Sequence, residues 1–189
     1  MASSNIEVKA VTDMQYEYAH GIGQDSHRFM QPCEANLKTA DKWPKKLILG
    51  GVVFEGETPL VANSDGDVVL HALTNAISGV SGVNVLGSIA DQMCQQGITD
   101  SSAYLAKSLA FANELGWELR HVSISIEAKR PKMTPMIGPM KEKICALTGL
   151  DLARIGITAT SGENLTRFGE GEGMMVFASV TMRREEEEE

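Results

Sequence analysis

The hydrophobic period of this chain switches repeatedly between that of a helix and that of a strand, and the alternation limits the folds open to it. Val69, Ala72, Leu73, Ala76 and Ile77 recur at the three-and-four spacing of a helix with one apolar face. Val122, Ile124 and Ile126 alternate instead with Ser123, Ser125 and Glu127, the period-two pattern of a half-buried strand. Further strands are predicted over 18–27, 154–160 and 174–182. Two short apolar segments, 47–49 and 52–54, are broken by Gly50-Gly51 and read as a bent strand or a tight hairpin. The first helix is expected over 68–81, with Ser64 as its cap and Asp67 completing a capping box; Asp65 and Asp67 then sit where the helix dipole favours anions. A second helix runs from Ser101 or Ser102 to near Gly116, and a third from Pro135 or Pro139 to near Gly149. The stretch between Gly79 and Gly97 reads as irregular. Helices interleaved with strands give an α/β class, a two-layer α+β sandwich with a mixed sheet and helices packed on one face.

At 189 residues the chain suits one domain with a real core. Its 43% hydrophobic and 22% charged content is that of a globular protein. The net charge of −8 owes much to the run Glu185 to Glu189. Without it 17 basic residues face 20 acidic ones, so the body is nearly neutral and carries no basic stripe. Nucleic acid is therefore not an expected partner. No apolar run approaches the roughly 20 residues that span a bilayer. Cys33, Cys94 and Cys145 are odd in number and widely spaced, which suggests neither a disulfide framework nor a zinc ribbon and fits a reducing compartment. The first twenty residues lack the apolar core of a signal peptide and contain Glu7, Asp13 and Glu17, unlike a transit peptide. A loose extension and a cytoplasmic location are expected.

Four histidines are present: His20, His27, His71 and His121. Asp25 and His27 stand two apart on a strand and so share a face. His71 lies one helical turn after Asp67. Asp, His and His are good zinc ligands, and three protein ligands leave a coordination position open, as in catalytic sites. By spacing alone, a surface or satisfied core histidine is the preferred explanation of His71. His20 should face away from Asp25 on a continuous strand. Thr160-Ser161-Gly162-Glu163 follows a strand, and is either an ordinary turn or a place where a carboxylate and hydroxyls meet phosphate and magnesium. Lys129-Arg130-Pro131-Lys132 closes the 122–128 strand as a phosphate-binding group or a solvated turn. Gly169 to Gly173, with two acids and no Lys-Ser/Thr, is not a phosphate loop.

Taken together, GIGQDSHRF (21–29), LILGGVVF (47–54), ANSDGDVVLHAL (62–73), ITDS (98–101), RPKMTPMI (130–137) and ITATSGENL (157–165) resemble, in order and spacing, the 2-C-methyl-D-erythritol 2,4-cyclodiphosphate synthase family of the non-mevalonate isoprenoid pathway. The resemblance covers about residues 18–183, leaving 1–17 as an extension and 184–189 as an acidic tail. It implies a homotrimer with an active site at each subunit interface. It also implies a CMP-releasing cyclisation of 4-diphosphocytidyl-2-C-methyl-D-erythritol 2-phosphate. Zinc ligands would be Asp25, His27 and His71, and Glu163 would hold magnesium or manganese through the substrate phosphates. Asn63, Ser64, Thr160 and Ser161 fall beside the reacting phosphates, with Asn63 and Ser161 at catalytic positions. Gly87 falls at the ribose segment. Ala128, Lys129, Arg130, Pro131, Lys132, Met133 and Thr134 match the cytosine loop. The chain departs from the family pattern at four places. Asn63 replaces a histidine, Val85 replaces the ribose-binding aspartate, Ile89-Ala90-Asp91 stands near the missing F-P-D segment, and Glu170 replaces an arginine. Two other functions on this scaffold stay open, a zinc phosphohydrolase and a non-catalytic trimeric binding protein.

Overall fold

A computed structural model describes residues 14–31 and 46–186. Cys33, the segment 32–44, the first 13 residues and the last three glutamates, for which a turn-rich stretch, an extension and a tail are expected, lie outside the described residues. Strand β1 (Tyr16–Arg28) is followed by β2 (Leu47–Leu49) and β3 (Val52–Phe54), then α1 (Val68–Ser81), α2 (Ser88–Gln95) and α3 (Ser101–Glu114). Strand β4 (Glu118–Glu127), α4 (Ile137–Thr148), β5 (Ile155–Thr160), the short α5 (Arg167–Glu170) and β6 (Gly173–Glu185) complete the order.

The main sheet is mixed, in the order β1-β6-β4-β5. Strand β6 is antiparallel to both β1 and β4, and β4 is parallel to β5. Consequently β1, β4 and β5 all run the same way, and their C-terminal ends open at one end of the sheet. Asp25 and His27 lie near the end of β1, the 128–134 segment follows β4, Ser161 and Glu163 follow β5, and His71 lies in the first turn of α1. The strands alternate as expected: Val122, Ile124 and Ile126 are buried under the helices while Ser123 and Ser125 are exposed on the other face. Val176, Ala178, Val180 and Met182 of β6 join the same core, with Leu70, Leu73 and Ile77 of α1 over them.

Two departures from the sequence reading have clear causes. Strands β2 and β3 pair with each other as an antiparallel hairpin, separate from the main sheet. Gly50 and Gly51 both take positive φ at its turn, which suits a two-residue hairpin loop. The cap of α1 is Asp67, not Ser64: its carboxylate accepts from Val69 N and Leu70 N at 3.1 and 3.0 Å. The same carboxylate accepts from Gly50 N and Gly51 N at 2.9 and 2.6 Å, so one buried side chain ties the hairpin turn to the helix start. The stretch expected to be irregular contains α2. That helix has eight residues and none of them fully buried, and so short a segment between glycines is not told from a loop by its period alone.

The packing of α1 on β1 is unusually close. A Cβ at Gly21 would collide with the carbonyl of Ala76, and one at Gly23 with that of Ala72. Two glycines on one strand face therefore let the helix backbone rest on the strand. Among the described residues, no helix is long and apolar enough to cross a membrane.

Candidate metal centre and phosphate site

That contact carries His71 of α1 to the end of β1. His71 Nδ1 lies 2.9 Å from Asp25 Oδ2, and His27 Nε2 lies 3.0 Å from the same oxygen. One ligand atom from each of the three residues falls within 4.8 Å of the other two. The strand period places Asp25 and His27 on one face, as the sequence predicts, and the α1 register supplies the third donor from 46 residues away.

The donor set fits a divalent metal, and the strongest sign is an orphan. His27 Nε2 is buried and, although close to Asp25, has no aligned hydrogen-bond partner. A buried ring nitrogen without a partner is costly unless something else occupies it. Burial raises the Asp25 carboxyl, but the hydrogen bond to His71 and the proximity of both His27 and His71 outweigh it, holding Asp25 well below the usual carboxylate range. Burial works against a charged His27, yet the adjacent Asp25 carboxylate prevails and pushes its value up. Two histidines around a carboxylate that stays ionised are the N and O donors zinc takes. Asp25, His27 and His71 can thus hold a metal ion.

The three residues line a cavity of about 340 Å³ together with Asn63, Ser64 and Gly87. Asn75, Leu86, Asp91, Cys94 and Tyr104 also line it and were not anticipated. Most of these come from α2 and the turn before it, the region whose helix the sequence reading missed. Val85, at the ribose position of the resemblance, is fully buried; Asp91 is the cavity's second carboxylate after Asp25. His20 is directed elsewhere, with Nδ1 3.2 Å from Thr181 Oγ1, and His121 is exposed.

The other predicted residues form a second group at the same end of the sheet and are not part of that cavity's lining. They follow β4 and β5, two and three strands from β1, or about 10–14 Å across the sheet. Ser161 Oγ donates to Glu163 Oε1 at 2.6 Å. Glu163 and Asn164 both take left-handed backbone angles, φ 48° and 59°, which turns the exposed Glu163 carboxylate out of the β5 line. Lys129 Nζ donates to Asn164 Oδ1 at 2.8 Å and so ties the 128–134 loop to the 160–165 turn. Arg130 is engaged on its own chain, donating to Thr58 Oγ1 at 2.9 Å and lying 4.0 Å over the Phe29 ring. Within this loop Ala128, Pro131 and Met133 are buried while Lys132 and Thr134 are exposed.

Comparison with known proteins points to one family. A family model described as the YgbB family matches residues 18–183. The 2-C-methyl-D-erythritol 2,4-cyclodiphosphate synthase of Chlamydia trachomatis serovar A is 43% identical over 171 residues, covering 90% of each chain. Among solved structures, the bifunctional IspDF from Campylobacter jejuni is 30% identical with a TM-score of 0.77. That match takes in 90% of this chain and 43% of the Campylobacter one, so this chain spans less than half of that protein. A structure of 2C-methyl-D-erythritol-2,4-cyclodiphosphate synthase in a CDP-bound form has a TM-score of 0.73, covering 87% of this chain and 99% of that one. At 24% identity the second likeness is one of fold.

Proposed function

The chain belongs to the YgbB family, and from that premise we propose that it closes 4-diphosphocytidyl-2-C-methyl-D-erythritol 2-phosphate into the 2,4-cyclodiphosphate with release of CMP. It is a phosphorus–oxygen lyase of isoprenoid biosynthesis. The observation that carries the reading is the Asp25, His27 and His71 group, with its orphaned nitrogen, at the floor of a cavity that Asn63 and Ser64 also line.

In the reaction an oxygen of the substrate's own 2-phosphate attacks the β-phosphorus. The bond from that phosphorus to the CMP oxygen breaks, and CMP leaves with the electron pair. The nucleophile is already an anion, so the protein need not take up a proton. Its work is positioning and charge neutralisation, as in other phosphoryl transfers. Asp25, His27 and His71 would hold a zinc ion, which would supply Lewis acidity at the phosphate under attack. The Asn63 amide and the Ser64 hydroxyl donate to phosphate oxygens at the cavity floor. The Ser161 hydroxyl, held 2.6 Å from Glu163, turns to phosphate oxygens whose charge grows in the transition state. Each such donor contributes about 3 kcal/mol. Glu163 would hold magnesium or manganese, which would offset the charge of the diphosphate; Thr160 would contact the same group, and residues 128–134 would hold the cytosine.

The two residue groups face one substrate most simply if they come from different copies. The distance between β1 and β5 in one chain, and the exposed sheet face bearing Tyr18, Ile22 and Phe177, support a homotrimer with its sites between subunits. A cytoplasmic location accords with the free thiols of Cys94 and Cys145.

The test is to supply zinc, magnesium and the cytidyl substrate to purified protein, following CMP release and the phosphorus NMR spectrum. CMP with a cyclic diphosphate is expected. CMP with a linear product would make the protein a hydrolase.

A further inference from the structure

Behind His71, on the side away from Asp25, lies a chain of hydrogen bonds that the reaction itself does not use. His71 Nε2 is 2.8 Å from Ser101 Oγ, a fully buried hydroxyl at the first position of α3. Ser101 Oγ in turn meets Asp65 Oδ1 in a short hydrogen bond. The Asp65 carboxylate is held by backbone on both oxygens: Oδ1 accepts from Asp67 N at 3.1 Å and Oδ2 from Ser101 N at 2.9 Å. Asp65 N itself donates to Thr99 O at 2.9 Å.

The direction of these bonds follows from donor counting. An ionised carboxylate only accepts, so the single Ser101 hydroxyl proton goes to Asp65. Ser101 Oγ then offers His71 only a lone pair, and the ring must place its N–H on Nε2. Ser64 Oγ, 3.3 Å from the same nitrogen, accepts from Gly66 N and keeps a second lone pair that the ring N–H can share. The lone pair of His71 is thereby left on Nδ1, the nitrogen 2.9 Å from Asp25 Oδ2. The rotation of the ring is fixed at both edges.

We propose that Asp65 and Ser101 are positioning residues for the metal ligand His71: together they fix its ring orientation and keep its N–H on Nε2, so that Nδ1 faces the ion. The inference rests on the metal-site reading above and deepens it. The usual arrangement gives a ligating histidine a carboxylate or carbonyl directly; here a serine stands between, because the carboxylate also caps the first N–H of α3. The start of α1 and the start of α3 are thus joined at the metal centre.

The test uses full-length protein and zinc alone, with affinity read by competition against a chromophoric chelator. Ser101→Ala is expected to weaken zinc binding by about 10- to 100-fold. Asp65→Asn is expected to do the same, because an amide group facing Ser101 frees the hydroxyl to donate to His71 instead. Ser108→Ala is the control: this equally buried serine on the same helix bonds only Leu105 O, and its loss should leave zinc affinity unchanged. A second readout needs no variant. Long-range proton–nitrogen correlation on the zinc-loaded wild type should show His71 protonated at Nε2. A proton on Nδ1, Ser101→Ala affinity equal to wild type, or an equal loss in Ser108→Ala would overturn the assignment. Wild type that takes up no zinc would overturn the metal-site reading along with it, whereas tight wild-type binding unmoved by Ser101→Ala would overturn the positioning role alone.

Discussion

A side chain on Gly23 would run into the carbonyl oxygen of Ala72, so strand β1 and helix α1 meet there through bare backbone. His71 is the residue before Ala72, and Asp25 is two residues after Gly23; the close approach is what brings the two metal-binding side chains to 2.9 Å. Gly23→Ala must therefore push the helix off the strand. We expect a loss of about 1–3 kcal/mol in denaturant unfolding, accompanied by weaker zinc binding. A variant as stable as wild type that still holds zinc would show that the helix can shift without cost.

Removing a ligand should separate metal from fold. His71→Ala is expected to lose zinc retention and turnover together, measured by metal content after dialysis and by CMP release. Full activity in a zinc-free His71→Ala protein would remove zinc from the reaction.

The pH dependence follows from the shifted groups. His27 is raised above 6.5 in the metal-free fold. Its pairing with Asp25 stabilises the apo protein fully below pH 6.5, and this contribution is lost as pH rises through the raised value. Asp25 is lowered, so its contribution is present above 3.8 and is lost as pH falls through the lowered value. Zinc needs the His27 lone pair. Uptake near neutrality should release a proton, and affinity should fall about tenfold per pH unit on the acid side of the His27 titration. Calorimetry in two buffers of different ionisation enthalpy reads the proton directly; no release at pH 6 would contradict the assignment.

Glu163 is not among the residues lining the zinc cavity. Glu163→Gln should raise the magnesium concentration needed for half-maximal turnover while zinc content stays at the wild-type level. Loss of zinc in that variant would mean the second site is misplaced.

Asp67 serves four backbone donors from two elements. Asp67→Ala leaves them without partners in the interior and should cost at least about 3 kcal/mol, seen as a lower midpoint in urea. A change within error would show that water replaces the carboxylate.

Much of this was legible along the chain because it is local. The alternation at 122–127 gave β4, and the three-and-four spacing after Asp67 gave α1. The pairing of Asp25 with His27 needs nothing beyond the two-residue strand period. Helix α2 was missed because its eight residues are too few to establish a helical period and bury no side chain completely. The cap was assigned to Ser64 because the sequence shows spacing but not backbone angles, and Asp67 was free to bond both its own helix and a hairpin 16 residues away. Asp65 reads as an ordinary helix-start anion until Ser101, 36 residues on, is placed against it.

The sequence by itself determined the kinds of element, the donor types at Asp25, His27, His71 and Glu163, and the family. Periodicity and chemical identity are properties of neighbours in the chain. The tertiary structure alone decided that His71 meets Asp25, that two glycines permit it, and that Asp65 and Ser101 stand behind the ring. It also decided that the 128–134 and 160–165 segments lie strands away from the metal group. These depend on which backbone atoms come close across long sequence separations, and close approach is settled by packing, where a single absent Cβ sets the distance between a helix and a strand.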